Sequence, residues 1–408
     1  MNERIVLRNV DTYTNPTSVR EYTQKGGYGA LKKCLATDPE SVVGEVEKSR
    51  LRGRGGAGFP TGTKWRYAAS SQDITYIVAN ADEGEPGAFK DRLIMEGDPH
   101  KVLEGIIIAG YAVGASRGFL YVRGEYSRCL NVLEEACTEA REHHFLGEKI
   151  AGSDFCFDIE VRQGAGSYVC GEETAMISSL EGKRGTPRIR PPYPTSHGLF
   201  GNPTVINNVE TLANIPSIIM HGGKWFSTIG TPHSTGTKLF PVSGAVETPG
   251  CYELPMGTPL ENLILEHAGG MKKGKELKAV LVGGAAAGTF LGRENLDIPL
   301  SFEHLNQVNA QLGSGVVVVL DSDTCILDVL IGIMEFFVRE SCGLCVPCRV
   351  GTLQIHRLLK SIAARTGVSE GDINRILSLA RVMNKTCLCP LGQSVIMPLQ
   401  SGLNLEVV

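Results

Sequence analysis

The amino-acid sequence predicts an α/β protein that consists of a Rossmann-like α/β domain, a small β-grasp-like (ubiquitin-like) domain and a C-terminal helical bundle. Three observations lead to this prediction. Apolar strand-like segments alternate with amphipathic helical segments in the first half of the chain, short strands separated by turns follow, and helical periodicity prevails after residue 321. We therefore divide the chain into an N-terminal segment of helices and turns (1–48), the α/β domain (49–232), the β-grasp-like domain (233–315) and the helical region (316–408).

Length, charge and composition narrow the class of protein. The 408 residues carry a net charge of −4 and contain no long run of basic side chains, which argues against a nucleic-acid-binding protein. Neither a signal peptide nor a stretch of about 18 uninterrupted apolar residues occurs. We therefore expect a soluble, cytoplasmic protein without direct membrane insertion, whose 12 cysteines are reduced. The 49 glycines indicate that the backbone closely approaches a ligand such as a nucleotide or a flavin.

The first informative segment of the α/β domain is residues 51–65, LRGRGGAGFPTGTKW. Gly53, Gly55, Gly56 and Gly58 crowd together here, ahead of a proline and a lysine. Because these residues lack Cβ atoms, the amide N–H groups of such a loop can face a phosphate or a flat ring. The segment does not match the G-x-G-x-x-G pattern, and no strong apolar strand precedes it, so it differs from the ordinary Rossmann dinucleotide loop. A surface glycine loop is the alternative interpretation.

An apolar strand predicted over residues 74–79 comes next and ends in a cluster of polar residues. In open α/β sheets, ligands bind at the carboxyl ends of the strands. Amide and carboxylate side chains placed there can bond to the polar groups of a ring or a sugar, although acidic loops also commonly cap helices. The polar residues at this strand end are Asn80, Asp82, Glu83 and Glu85.

The α/β alternation continues through a helix, a strand, a second helix and a second strand, which we predict over 99–114, 118–122, 126–143 and 155–162. The second strand runs into a glycine turn, GAGSYVCGEETAM, that opens a helix with Glu172 and Glu173 among its first residues. A strand end meets a helix start here as well, which makes this turn a second position suited to a ligand.

A proline-rich segment then forms what we predict to be a rigid, extended wall. Six prolines lie between residues 187 and 216, and Arg190 and Tyr193 among them offer a cation and a stacking surface. Such a wall is suited to clamping an aromatic ring, and a rigid linker is the alternative. Asn207, Asn208 and Thr211 then begin a predicted helix, where side-chain donors beside free helix N–H groups suit a phosphate.

Residues 235–315 combine short strands, turns and one amphipathic helix over 259–268. Because this β-grasp-like domain carries no cluster of titratable residues, we expect it to act as a spacer or a docking surface. The rest of the chain is predicted to form a strand and then three helices, over 315–321, 326–340, 349–364 and 371–384. We expect these helices to pack antiparallel and to hold the nearby cysteines at one end of the bundle.

Cysteines in the helical region have the spacing of a metal centre. Cys342, Cys345 and Cys348 form two overlapping Cys-x2-Cys units, which suit a 4Fe-4S cluster with a metal at each corner. A zinc site and ordinary buried thiols are the alternatives. The fourth ligand is Cys389 or Cys387, and we favour Cys389 because a rigid Pro-Leu-Gly turn follows it directly.

Six segments of the chain, taken together and in order, resemble the flavin-bearing, NADH-binding subunit of respiratory complex I. They are LRGRGGAGFPTGTKW, NADEGEPGAFKDR, GAGSYVCGEETA, PTVINNVETLANIP, ESCGLCVPCR and CPLGQ. The same segments are equally similar to the diaphorase subunits of NAD-linked hydrogenases and formate dehydrogenases. The resemblance covers nearly the whole chain. It implies a flavin-binding α/β domain and, as cofactors, FMN, NAD(H) and one 4Fe-4S cluster.

The resemblance also assigns roles to individual positions. In that family the FMN contacts fall on positions that match Gly53, Gly55, Lys64, Asn80, Asp82, Glu83, Tyr168, Gly171, Glu172, Asn207, Asn208 and Thr211. The NAD(H) contacts match Gly56, Ala57, Phe59, Tyr67, Glu85, Glu173, Arg190 and Tyr193. No side chain is implied as an acid or a base, and Glu85 and Glu173 are implied to position NADH. Tyr67 and Tyr193 occupy positions that are often Phe in the family, a change that stacking should survive.

The implied reaction is hydride transfer between NAD(H) and FMN, followed by single-electron transfer to the 4Fe-4S cluster and on to a partner subunit. We expect the chain to lack the extra cluster domain of larger diaphorase relatives. Its partners are therefore expected to be a thioredoxin-like 2Fe-2S subunit and a further cluster-bearing subunit.

The sequence also bears on the assembly to which the chain belongs. The GEPGAF segment favours a soluble, NAD-dependent hydrogenase-type complex, with membrane respiratory complex I and an NAD-dependent formate dehydrogenase as alternatives. Two hypotheses from other classes compete with this interpretation. A non-enzymatic scaffold would carry no yellow chromophore, and a zinc-bearing nucleic-acid module is disfavoured by the balanced charge.

Overall fold

The computed structural model describes residues 4–69, 74–284, 288–365 and 369–407, without the side chains of 406 and 407. Three short helices open the described chain: α1 (Val19–Gln24), α2 (Gly29–Leu35) and α3 (Pro39–Ser49). Ser18 and Asp38 cap α1 and α3, because their side chains accept hydrogen bonds from the first turn of each helix. Helices α2 and α3 pack against α6 and α9 of the domain that follows, so the N-terminal segment covers part of that domain.

A parallel sheet of four strands forms the centre of the α/β domain. In chain order the strands are β1 (Tyr76–Ala81), β2 (Arg117–Val122), β3 (Asp158–Gln163) and β4 (Thr204–Asn208). Their spatial order is β3-β2-β1-β4, so the carboxyl ends of β1 and β4 lie side by side at one edge of the sheet. The first three strands confirm the predicted ones to within a few residues. Strand β4 was not predicted. Asn207 was predicted to begin a helix and instead belongs to this strand.

Helices cover both faces of this sheet, because strand β1 is apolar on both sides. Its residues Ile77 and Ala79 pack into one core, and Val78, which points the opposite way, packs into another. The helices of the domain are α4 (Thr61–Ala69), α5 (Lys90–Gly97), α6 (Pro99–Val113), α7 (Ser127–Glu142), α8 (Glu173–Leu180), α9 (Val209–His221) and α10 (Gly223–Ser227). The predicted helices over 99–114 and 126–143 are confirmed as α6 and α7. A 3₁₀ turn, Tyr168–Gly171, precedes α8 where a glycine turn was predicted.

The β-grasp-like domain contains a mixed sheet of five strands. They are β5 (Thr237–Gly244), β6 (Gly250–Pro255), β7 (Leu277–Val282), β8 (Thr289–Leu291) and β9 (Val317–Asp321), in the spatial order β6-β5-β9-β7-β8. The predicted amphipathic helix is a short α11 (Leu260–Asn262) that continues into a π-helical turn, Leu263–His267. Helix α12 (Phe302–Gln307) lies between β8 and β9 in the chain.

Strand β9 corrects the predicted boundary of this domain. The division at residue 315 placed the strand in the helical region, yet β9 is the central strand of the sheet and pairs parallel with β5 and antiparallel with β7. Pairing with two strands that lie far earlier in the chain leaves no local trace in the sequence. A division at the end of β9 follows the observed sheet.

The last part of the chain is helical, as predicted. It consists of α13 (Ile326–Glu340), α14 (Val346–Ala363), α15 (Glu370–Thr386), α16 (Pro390–Gln393) and α17 (Ile396–Val407). Apolar side chains of these helices share one core with α8 and with one face of the first sheet, including Val78 and Ile206. The bundle is therefore packed directly onto the α/β domain. Within the described residues, no helix combines the length and the apolarity needed to cross a membrane.

Candidate functional site

The glycine-rich segment forms a tight loop that is pinned at its base. The amide of Gly53 donates to the carbonyl of Phe59 at 2.9 Å, and Nε of Arg52 donates to the carbonyl of Gly58 at 2.7 Å. Gly58 has a φ of +64°, a conformation that side chains rarely adopt. A Cβ at Gly55 would lie 3.1 Å from Cβ of Asn208, so the loop packs closely on the end of β4. Glycine at position 55 thus allows the loop backbone to approach the end of β4 closely.

Hydrogen bonds tie this loop region to the ends of β1 and β4. Lys64, on α4, donates to the carbonyl of Ile206 at 3.0 Å, and the indole of Trp65 donates to Oδ1 of Asn207 at 2.8 Å. The amide of Asn80 donates to the carbonyl of Gly171 at 2.9 Å. The structure therefore brings together four predicted segments: the glycine loop, two strand ends and the 3₁₀ turn.

Asp82, which follows β1, has an incompletely satisfied carboxylate. The residue is buried, and its Oδ2 has no hydrogen-bond partner among the residues that the structure describes. Burial raises the pKa of this carboxyl to about 7, although Arg123 acts in the opposite direction. A buried polar atom without a partner needs an explanation, and a bound ligand is one. Asp82 thus fits a role in holding a polar ligand beside the glycine loop.

Three residues predicted to contact FMN have side chains that are engaged within the protein. The carboxylate of Glu83 accepts from the amides of Asp91 at 3.0 Å and Arg92 at 3.1 Å, and so caps α5. Asn208 caps α9, and Thr211 Oγ1 accepts from the amide of Arg54 at 2.8 Å. The side chain of Glu83 therefore caps a helix, which was the alternative interpretation of the acidic loop. Asn208 and Thr211 stabilise the start of α9 and the glycine loop.

The predicted NAD(H) residues include three exposed rings and a group of paired charges. Phe59, Tyr67 and Tyr193 expose 45%, 59% and 58% of their surface. Arg190 lies 3.4 Å from a carboxylate oxygen of Glu172 and 3.8 Å from one of Glu173. Glu173 also forms an ion pair with Lys64, and Glu172 caps α8. Large exposed rings next to paired charges are suited to a ligand with both an aromatic base and polar sugars.

The β-grasp-like domain also reaches this region, which the sequence did not predict. A Cβ at Gly284 would lie 2.3 Å from Oε1 of Glu85, so this loop backbone rests on the Glu85 carboxylate. Gly313 lies near Gly56 of the glycine loop, and Oγ of the neighbouring Ser314 is buried without a partner in the described part of the chain. The domain is therefore more than the spacer or docking surface that we expected. The only sequence signal was its glycine pairs, which occur in many turns.

A buried network of charges lies behind the glycine loop, and no pattern in the sequence indicates it. Glu210 is fully buried and lies 2.9 Å from Nζ of Lys90 and 3.5 Å from Nζ of Lys238. Burial opposes ionisation of Glu210, but Lys238, Lys90 and Arg54 together hold its pKa below the ordinary value. Burial lowers the pKa of Lys238 to about 8. In sequence these residues resemble ordinary surface charges, so only tertiary packing reveals the network.

The four favoured cysteines line one small cavity at the end of the helical bundle. Its wall consists of Cys342, Cys345, Cys348 and Cys389 together with Val169, Pro187, Leu344, Leu388 and Leu391. Cys345 precedes α14, Cys348 lies in its first turn, and Cys389 precedes α16. Burial raises the pKa of the Cys389 thiol to about 11, although it accepts hydrogen bonds from the amides of Leu391 and Gly392.

Cys387, the alternative fourth ligand, lies just behind this cavity. A Cβ at Gly392 would lie 2.5 Å from Sγ of Cys387, so the thiol is packed beneath the α16 turn. Hydrogen bonds from Cys387 and from Ser341 lower the pKa of Cys348 to about 6, against the effect of burial. Cys387 therefore contacts a cavity cysteine without lining the cavity itself.

Four cysteines around one small cavity are suited to a body with several metals, such as a 4Fe-4S cluster.

The 3₁₀ turn Tyr168–Gly171 forms a wall shared by the two sites. On one side, its Gly171 carbonyl accepts from Asn80, and the hydroxyl of Tyr168 donates to Glu85 at 2.7 Å. On the other side, Val169 lines the cysteine cavity, and the amide of Tyr168 donates to Glu340 at the end of α13. The flavin-type site and the cysteine cavity are thus separated by a single turn of the chain.

Comparison with known families agrees with this geometry. Residues 46–217 match the model of the Nuo51 FMN-binding domain, residues 239–289 the SLBB domain, and residues 328–405 the NADH-ubiquinone oxidoreductase-F iron-sulfur binding region.

Individual relatives match over almost the entire chain. The chain is 46% identical to the F 2 subunit of the NADH-quinone oxidoreductase of Rhizobium meliloti (strain 1021), over 99% of this chain and 96% of that protein. It is 45% identical to the HndC subunit of the NADP-reducing hydrogenase of Solidesulfovibrio fructosivorans, over 98% of this chain and 81% of that protein.

A solved structure of an NAD+-reducing [NiFe]-hydrogenase in the H2-reduced state superposes with a TM-score of 0.85 at 37% identity. The match covers all of this chain and 66% of the hydrogenase chain. The chain therefore belongs to the family of F subunits of NADH-quinone oxidoreductases and related hydrogenase subunits, with FMN, NAD(H) and one 4Fe-4S cluster as its cofactors.

Proposed function

We propose that this chain is the electron-entry subunit of a soluble, hydrogenase-type complex, in which it connects NAD(H) to a partner subunit. When bound, FMN exchanges a hydride with NAD(H) and exchanges single electrons with the 4Fe-4S cluster. The observation that carries the proposal is the turn Tyr168–Gly171, which borders both the flavin-type site and the cysteine cavity. Because one turn separates the sites, electrons need to cross only a thin layer of protein.

The residues of the chain act by positioning. The glycine loop, Lys64, Asn80 and Asp82 would hold FMN, and the partnerless oxygen of Asp82 within the described chain supports this assignment. The exposed rings of Phe59, Tyr67 and Tyr193 would receive the adenine end of NAD(H). Glu85 and Glu173 would bind its polar groups. No residue is required as a general acid or base, since correct stacking of two rings suffices for hydride transfer.

The cysteine cavity would hold the 4Fe-4S cluster through Cys342, Cys345, Cys348 and Cys389. The amide donors of Leu391 and Gly392 support Cys389 as the fourth ligand, because such donors stabilise a thiolate. From the cluster, electrons would pass to a thioredoxin-like 2Fe-2S subunit or to a further cluster-bearing subunit.

A second candidate is the F subunit of a membrane-associated NADH-quinone oxidoreductase. The observation that favours it is the Rhizobium meliloti relative, which this chain matches over 96% of that protein's length. An NAD-dependent formate dehydrogenase is a third parent complex with the same chemistry in this subunit.

The test is anaerobic purification of the tagged chain together with its natural partners. We expect stoichiometric FMN, iron and acid-labile sulfide in this chain, and NADH-dependent reduction of a small one-electron acceptor. A colourless protein without either cofactor contradicts the proposal and supports the scaffold hypothesis. Nickel and H2-dependent NAD+ reduction in the complex support the hydrogenase-type parent, whereas co-purification with membrane quinone-reducing subunits supports the second candidate.

A further inference from the structure

Ser341 is a polar side chain that contacts one of the cavity cysteines. It is the residue after α13, its amide donates to the carbonyl of Phe337 at 3.1 Å, and it directly precedes Cys342. Its Oγ lies 3.2 Å from Sγ of Cys348 and accepts a hydrogen bond from the amide of Gly343 at 3.3 Å. Because that amide can only donate, it leaves the hydroxyl proton of Ser341 available for the sulfur.

A second polar side chain, the thiol of Cys387, is packed close to Cys348. Its position is fixed by packing, because a Cβ at Gly392 would lie 2.5 Å from Sγ of Cys387 and 3.2 Å from Cβ of Cys348. The backbone of Cys387 is held as well, since its amide donates to Met383 at 2.9 Å and its carbonyl accepts from Gln393 at 2.8 Å.

We propose that Ser341 and Cys387 are positioning residues that donate hydrogen bonds to the Cys348 thiolate and thereby make the 4Fe-4S cluster easier to reduce. This inference rests on the proposed function, because it takes Cys348 as a cluster ligand. A ligating thiolate carries no proton, so both neighbours can act only as donors toward it. Donated hydrogen bonds stabilise the added negative charge of the reduced cluster and so raise its reduction potential.

These two side chains can be substituted without changing any of the four expected ligands. Cys389 receives hydrogen bonds from backbone amides, which substitution cannot remove. Cys348 is instead approached by the side chains of Ser341 and Cys387, neither of which is an expected ligand, so its hydrogen bonding can be changed one group at a time. Its serine and cysteine neighbours therefore provide a means of adjusting the cluster's affinity for electrons without altering its ligands.

The test is an anaerobic redox titration of the purified flavoprotein, followed by the electron paramagnetic resonance signal of the reduced cluster. We expect a more negative midpoint potential in Ser341→Ala. At the wild-type midpoint the ratio of reduced to oxidised cluster should fall about fivefold. Ser341→Thr keeps the hydroxyl and should restore the wild-type midpoint, and Cys387→Ala should shift it in the same direction as Ser341→Ala.

The matched control is Ser394→Ala. Ser394 is also half-buried and lies near the cysteines, but its hydroxyl donates to the carbonyl of Leu391 at 3.2 Å rather than to a sulfur. We expect its midpoint to equal that of the wild type. A shift of the same size in this variant would mean that the potential responds to any loss of a nearby hydroxyl, and the inference would be overturned.

Iron, sulfide and flavin contents separate this inference from the proposed function. A wild-type protein that binds no cluster overturns both. Fully loaded Ser341→Ala and Cys387→Ala proteins with wild-type midpoints overturn the inference alone. Loss of iron in Cys387→Ala but not in Cys389→Ala also overturns it, because Cys387 would then be a ligand. If only Ser341→Ala fails to load, the midpoint of Cys387→Ala decides the question.

Discussion

Asp82 lies buried after β1, and one of its carboxylate oxygens meets no partner within the described chain. Because burial raises its pKa to about 7, much of this carboxyl is protonated in the folded chain at neutral pH. In the unfolded chain the same carboxyl group has a pKa of about 4. Between these values the folded state holds a proton that the unfolded state has released. The contribution of Asp82 to stability is therefore most favourable in acid and is lost as the pH rises toward 7.

Asp82→Asn removes this dependence, since asparagine does not titrate. We expect the melting temperature of the variant, relative to the wild type, to rise between pH 5 and pH 8. The underlying difference in unfolding free energy reaches at most about 4 kcal/mol. Differential scanning fluorimetry at several pH values measures this. A difference in melting temperature that is the same at both ends of the range contradicts the assignment.

Glu85 is expected to act on NADH rather than on the flavin. Its carboxylate accepts from Tyr168 and lies under the backbone of Gly284, on the open side of the site. We expect Glu85→Ala to raise the KM for NADH roughly tenfold, the effect of losing one charged hydrogen bond, with little loss of bound FMN. Steady-state kinetics and flavin content measure the two effects, with Glu134→Ala on the exposed face of α7 as the control. Equal loss of flavin would show that Glu85 supports the FMN site.

At the level of single residues, the sequence patterns predicted the segments that form the site more accurately than they predicted the role of each side chain. The glycine loop packs on Asn208 at the end of β4, which pairs with Asn80 at the end of β1, and both the loop and the strand end are local features of the sequence. The carboxylate of Glu83 instead caps α5, an outcome that depends on where the next helix begins. Lys90 was not predicted at all, since nothing in a sequence distinguishes a buried lysine from an exposed one.

At the level of elements, the errors of prediction concern two strands whose partners are distant in sequence. Strand β4 completes the flavin-site edge, but its Thr-Val-Ile-Asn-Asn sequence is short and follows a proline-rich segment. Strand β9 was recognised as a strand and assigned to the wrong domain, because its pairing with β5 spans more than seventy residues. Helices were predicted more accurately, since their apolar periodicity is contained within each segment.

Glu210 links three elements that lie behind the glycine loop. It sits on α9, pairs with Lys90 on α5, and accepts from the amide of Leu239 on β5 at 2.8 Å. Lys238 on the same strand donates to the carbonyl of Arg54 in the glycine loop at 3.2 Å. The network therefore fixes the position of the loop relative to both sheets, and its charges are stable in the interior only as a group.

Glu210→Gln should destabilise the protein strongly, because it leaves buried lysines without their full counter-charge. We expect a loss of about 3–5 kcal/mol in unfolding free energy, seen as a melting temperature lower by several degrees. Glu335→Gln is the control, since it removes an exposed i,i+4 ion pair with Arg339 and should cost less than about 1 kcal/mol. Comparable shifts in the two variants would mean that the buried network contributes little.

At the level of the whole molecule, the arrangement follows from how the cores are shared. The first sheet presents one face to the helices α6 and α9 and the other to α8 and the helical bundle. The cysteine cavity is thereby placed against the turn Tyr168–Gly171, next to the strand ends that form the flavin-type site. The order of the sequence motifs predicted the two sites, but their adjacency required the packing of the bundle onto the sheet.

Although the two sites are adjacent, they are formed by different residues, so we predict that one substitution can remove one cofactor and leave the other bound. Cys345→Ser removes a thiolate from the cavity, while the glycine loop, Asn80 and Asp82 belong to other elements and remain in place. We expect loss of the broad iron-sulfur absorbance and of iron, with FMN content and NADH-dependent reduction of a small acceptor retained. Electron delivery to the partner subunit should be abolished.

Cys156→Ser, at an exposed cysteine outside the cavity, is the control. Unchanged iron in Cys345→Ser would refute the ligand assignment, whereas parallel loss of FMN would mean that the shared turn makes the two sites one folding unit.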